Sequence, residues 1–142
     1  MRSRAYTFWV CSSLEHLSLL LLRAAFSSSQ MASRRAVIVS TARTGLTKSF
    51  RGGFNDAHGA AMAGTAIQAA IARAGIAAAD VEDVILGCGF PEGATGMNIA
   101  RTAALWAGCP VTTSGTTINR FCSSGLHAVA SAAHAVVVDG VD

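Results

Sequence analysis

Charge is scarce in this chain: Asp, Glu, Lys and Arg together make up 13% of its 142 residues, against 51% hydrophobic. A chain so poor in charge and rich in apolar residues is neither disordered nor fibrous, and it must hide much of its surface, so self-association is expected. Proline is nearly absent, with Pro91 and Pro110 alone, which leaves helices and strands unbroken. The four cysteines, Cys11, Cys88, Cys109 and Cys122, form no CxxC pair and no histidine pair stands beside them at zinc-finger spacing, so no metal site is expected. They read as free thiols in a reducing compartment, because the chain is not a small loop-rich scaffold. The formal charge of +3 comes without a basic stripe or an aromatic-studded basic patch, which excludes nucleic acid as a partner. No membrane span is expected either. The apolar run from Leu17 to Leu22 falls short of the ~20 residues a bilayer requires, and Glu15 and His16 interrupt it upstream.

What is present falls into two parts. Residues 1–34 read as a leader or a non-native extension, expected to be disordered. They carry Arg2, Arg4 and Arg23 among many serines, which fits a mitochondrial presequence. The favoured reading is an upstream start, with Met31-Ala32-Ser33-Arg34-Arg35 as the true beginning and the protein cytoplasmic; the mitochondrial presequence is the alternative. Residues 35–142 read as one partial domain.

From residue 35 the pattern is regular. Residues 35–42 form a continuous β-branched run that predicts a buried strand. The glycine-bearing stretch 44–55 predicts a loop, and Asp56 a cap for a helix running to about Ala74 that Gly75 ends. A second buried strand is expected at 84–88, then a glycine-rich loop over 89–96 and a helix from Asn98 to Ala107. A third strand is expected at 113–120, followed by a third helix at 123–138 that Gly140 closes. The order β-α-β-α-β-α implies an α/β fold: a mostly parallel sheet with helices on both faces and right-handed crossovers. Three strands are few for such a sheet, so a strand partner is expected beyond the C-terminus, the domain being incomplete there.

The chemistry concentrates where the third strand meets the third helix. Cys122 falls at that junction, beside the helix's unpaired N–H groups and the positive end of its dipole, an environment that activates thiols as nucleophiles for acyl transfer. Ser123 and Ser124 can bond first-turn N–H groups, and Gly125 allows a substrate or a second backbone to come close. The competing reading is a buried cysteine packing as a small hydrophobe. His127, five positions on, is rotated away from the thiol by about 500° of helical turn and reads as a surface or interface histidine. His58 reads as solvated, and Cys88 and Cys109 as structural thiols.

The run Asn119-Arg120-Phe121-Cys122-Ser123-Ser124-Gly125-Leu126 resembles the nucleophile motif of the thiolases, the acetyl-CoA acetyltransferase family. Val37-Ile38-Val39-Ser40-Thr41-Ala42-Arg43-Thr44 resembles that family's first strand, and Asp83-Val84-Ile85-Leu86-Gly87-Cys88 its second. Pro91-Glu92-Gly93 with Asn98-Ile99-Ala100-Arg101 resembles the loop and helix between strands, so the similarity covers essentially residues 35–142. The resemblance implies the leading part of a thiolase-type layered fold and a two-step exchange in which Cys122 accepts an acyl group from an acyl-CoA. The acyl group then passes to an acetyl-CoA carbanion, or the reverse reaction cleaves a 3-ketoacyl-CoA. No permanently bound cofactor is implied, only CoA thioesters as substrates. The backbone N–H of Cys122 would contribute to the oxyanion site, with Ser123 and Gly125 supporting the turn. Asn119 and Arg120 would position that turn or bridge subunits of a homodimer or dimer of dimers.

The family's Gly-His-Pro, Cys-x-Gly and Asn-Glu-Ala-Phe motifs do not occur in these residues, so turnover by this chain alone is not expected. A non-catalytic thiolase-like scaffold or partner subunit is the alternative. A ketoacyl synthase would carry its cysteine at a similar turn, but Asn-Arg-Phe-Cys favours thiolase. The Gly87-Cys88-Gly89 run does not make a dinucleotide site, because the third glycine is displaced and no acidic residue follows at ribose distance.

Overall fold

The computed structural model describes residues 34–141. The expected leader lies outside the described residues but for Arg34, as does Asp142. Three α-helices and two strands alternate in chain order: α1 Gly59–Ala74, β1 Asp83–Gly87, α2 Ile99–Trp106, β2 Ser114–Ile118 and α3 Ser124–His134. The strands pair in parallel, with Asp83 opposite Ser114 and Gly87 opposite Ile118, and α2 makes the crossover between them. The Cys88 N–H extends this ladder by one bond to the Ile118 carbonyl, 2.9 Å away.

The alternation of β1 divides the core. Successive side chains on a strand point to opposite faces. Val84 and Leu86 pack into the larger cluster with Ile67, Ala70 and Ile71 of α1 and Ile99, Ala100 and Ala103 of α2. Ile85, between them, packs instead against Ala128 and Ala132 of α3. Helices therefore cover both faces of a parallel α/β sheet, as its continuous apolar run predicts. The many buried alanines on α1 and α2 let the two helices approach each other and the sheet closely.

Helix ends follow the chain's punctuation with one exception. Gly75 takes the left-handed conformation at φ 69°, and its N–H reaches the Ile71 and Ala72 carbonyls to end α1. At the start of α1 the cap is His58 rather than Asp56: its Nδ1 accepts the Ala60 N–H at 3.1 Å. α2 begins at Asn98, whose amide bridges to β2 by donating to the Gly115 carbonyl at 2.8 Å and accepting from the Thr117 hydroxyl at 2.8 Å. α3 continues into a wider π-type turn, Ala135–Asp139, which Gly140 closes at φ 76°. The stretch Phe121–Asp139 is 19 residues long and apolar enough, by length and composition, to cross a membrane. Length and composition alone do not establish a span; 17% of that window is buried, with Ala128 and Ala132 packed against β1.

The first predicted strand is a correction. Residues 35–42 form no strand, and Val37, Ile38 and Val39 are 67%, 76% and 53% exposed. The segment is tied to α1 rather than to the sheet: the Ser40 hydroxyl donates to the Ala70 carbonyl at 2.8 Å, and Arg73 donates to the Thr41 carbonyl. A β-branched run favours extended backbone, but a strand also needs a neighbour along its edge. The two strands among the described residues pair only with each other.

Candidate functional site

β2 ends at Ile118 and α3 starts at Ser124, so five residues make the bend that carries Cys122. Phe121, Cys122 and Ser123 form a single 3-10 turn leading directly into the helix. Cys122 is a free cysteine exposed at this turn, rather than a small hydrophobe packed in the core. Among the described residues, no acceptor takes its backbone N–H.

Four short hydrogen bonds hold the bend. Asn119 Oδ1 accepts the Phe121 N–H at 2.9 Å, and the Ser123 N–H donates to the Arg120 carbonyl at 3.0 Å. The Ser124 hydroxyl supplies the other two, accepting the Arg120 N–H at 2.8 Å and donating to the Phe121 carbonyl at 2.7 Å. These bonds keep Phe121 at φ 47°, a left-handed conformation that an aromatic residue adopts only under constraint. The residue before the sulfur is thus the strained one, as is common where geometry serves function.

The turn is also braced from behind. A Cβ on Gly87 would lie 2.5 Å from the Gly125 amide nitrogen, and one on Gly89 would lie 2.9 Å from the Phe121 carbonyl oxygen. Only glycine permits the end of β1 to approach the start of α3 this closely.

The sequence-predicted support residues divide. Asn119 bonds within the turn through its side chain. Arg120 takes part through its backbone alone, and its side chain is exposed. Ser123 occupies the N-cap position of α3, but its side chain makes no capping bond. The hydroxyl that matters belongs to Ser124, 3% exposed, and it locks the turn upstream rather than capping first-turn N–H groups. Gly125 is half-buried against Gly87.

The other candidate groups stand apart. His127 is half-buried, with an Nδ1 that meets no partner among the described residues. His134 is exposed. Cys109 is buried behind α2, and that burial raises its thiol pKa above 9.0. Cys88, half-buried, lines a cavity of about 520 Å³ under the 43–55 loop, which Cys122 does not line. Among the described residues no three His, Cys, Asp or Glu side chains gather as metal ligands.

Comparison with known proteins adds to this geometry. A family model described as "Thiolase, N-terminal domain" matches residues 36–142. The chain is 36% identical over 109 residues to the 3-ketoacyl-CoA thiolase of Bacillus subtilis (strain 168), covering 77% of this chain and 28% of that protein. It is 41% identical over 95 residues to the acetyl-CoA acetyltransferase of Shinella zoogloeoides, covering 67% and 24%. It is 35% identical over 113 residues to 3-ketoacyl-CoA thiolase 2, peroxisomal, of Arabidopsis thaliana, covering 80% and 24%. The chain therefore spans about a quarter of the length of these relatives.

Proposed function

The chain belongs to the thiolase family, and on that premise we propose that it carries the acyl-accepting cysteine of an acyl-CoA acyltransferase, with Cys122 as the nucleophile. One observation supports this most: an exposed thiol stands at the entrance of α3, on a bend whose hydrogen bonds leave its own N–H open. Cys122 Sγ attacks the thioester carbonyl. A carbon–sulfur bond to Cys122 forms as the one to CoA breaks, and CoA departs as its thiol with the proton that Cys122 gives up. The Cys122 N–H donates to the oxygen that becomes negative during this attack, one of the two donors such a site requires. Asn119 and Ser124 position the turn. Ser123 and Gly125 border it without a side-chain bond of their own.

The second half of the exchange, transfer of the acyl group to an acetyl-CoA carbanion or release from a 3-ketoacyl-CoA, needs an acid–base pair. The Gly-His-Pro and Cys-x-Gly motifs that the resemblance assigns to it do not occur in these residues, so acylation without turnover is the proposed behaviour of residues 35–142 alone. In the assembled protein we read β2, with Asn119 and Arg120 at its end, as the subunit contact of a homodimer, as the family resemblance implies.

Intact-mass measurement after incubation with acetyl-CoA tests this reading. The chain is expected to gain one acetyl group, Cys122→Ala to gain none, and a longer chain carrying the later motifs to turn over. A gain that persists in Cys122→Ala removes Cys122 from the role. No gain in either the short or the longer chain favours the scaffold alternative.

A further inference from the structure

The cavity beside Cys88 shares Gly87 and Gly89 with the brace behind the Cys122 turn, but Cys122 does not line it, and it has a chemistry of its own. Its floor is apolar, made by Leu86 of β1, Ile99 of α2 and Met62 of α1, with Phe54 at one side. Leu86 and Ile99 are 5% and 3% exposed, so the floor belongs to the folded core and not to a loose surface. The loop along the open side of the cavity brings two cations to it, Arg43 and Lys48, both exposed. No Asp or Glu lines it. At about 520 Å³ the space falls within the roughly 300–1,000 Å³ typical of small-molecule sites.

We propose that this cavity is a binding site for a small amphiphilic anion, a carboxylate or phosphate ester carrying a short apolar tail. The tail lies on Leu86, Ile99 and Met62, where its transfer from water is favourable. The anionic head meets Arg43 and Lys48, whose charges no acidic side chain of the lining offsets. Guanidinium and ammonium recognise both head groups, so the cavity does not choose between them by charge alone. Cys88, half-buried, lines the same space, so the reactivity of its thiol reports on occupancy.

Alkylation by neutral iodoacetamide, followed cysteine by cysteine through peptide mass, tests the site in the whole chain. Octanoate and octyl phosphate are the probes, with octanol, acetate and CoA as comparisons. Either probe is expected to slow alkylation of Cys88 while leaving that of Cys122 unchanged, and the more effective one identifies the head group. The double variant Arg43→Ala/Lys48→Ala changes only exposed side chains, and it should weaken the protecting probe by about tenfold. The proposal is overturned by equal protection from octanol, by full protection in the double variant, by protection from CoA alone, or by no protection from either probe. None of these outcomes depends on whether Cys122 accepts an acyl group.

Discussion

At the scale of single residues, Ser124 carries more of the site's geometry than its neighbours. One hydroxyl accepts from Arg120 and donates to Phe121, so it closes the bend on both sides of the strained residue. Ser124→Ala removes both bonds and is expected to cost about 1–3 kcal/mol of stability. Denaturant unfolding measures that cost, and slower acetylation of Cys122 should accompany it. The place of Cys122 at the strand–helix junction was legible in the sequence because strand, cysteine and small-residue helix follow one another in a recognisable run. Ser124 was not distinguishable from Ser123, because which hydroxyl turns inward depends on a left-handed Phe121 that no local pattern announces. The His58 cap was missed for a related reason: histidine is an uncommon N-cap, and Asp56 is the stronger signal on composition.

At the scale of elements, β1, α2 and β2 lie within a residue or two of where periodicity and glycine placed them, whereas α3 ends at His134 and only the π-type turn Ala135–Asp139 carries it past the expected 138. Residues 35–42 differ because local preference and pairing are separate conditions. The run Val37-Ile38-Val39 satisfies the first and lacks the second, so its side chains remain exposed. Hydrogen exchange separates the two states. The amides of Val37, Ile38 and Val39 should exchange at nearly unprotected rates, while those of Val84, Ile85 and Leu86 exchange only through large-scale opening. Comparable protection in both segments would show that 35–42 is paired after all.

At the scale of the whole molecule, the larger of the two core clusters is shared by α1, β1 and α2, and Cys109 sits within it at 6% exposure. Burial favours its neutral thiol and raises its pKa above 9.0. Above the ordinary thiol range the unfolded chain gives up this proton while the folded chain keeps it, so the contribution of Cys109 is complete below that range and declines as the pH rises through the folded value. Unfolding followed at neutral and at alkaline pH should show this loss, and Cys109→Ala should flatten it. An equal alkaline slope in that variant would assign the effect to other groups. The parallel sheet with helices on both faces was legible from element order and from the apolar run of β1. The 43–55 cavity was not, since a loop's shape depends on which distant residues lie beneath it.

The contact between Gly87 and the Gly125 amide has a consequence for anyone ranking positions by tolerance to change. Saturation mutagenesis scored on thioester capture should find position 87 nearly as intolerant as position 122, although it contributes no functional group. Even alanine there should force the sulfur's platform aside, at about 1–3 kcal/mol for the displacement. If most substitutions at 87 are accepted, the platform has more freedom than a hydrogen-sized clearance allows.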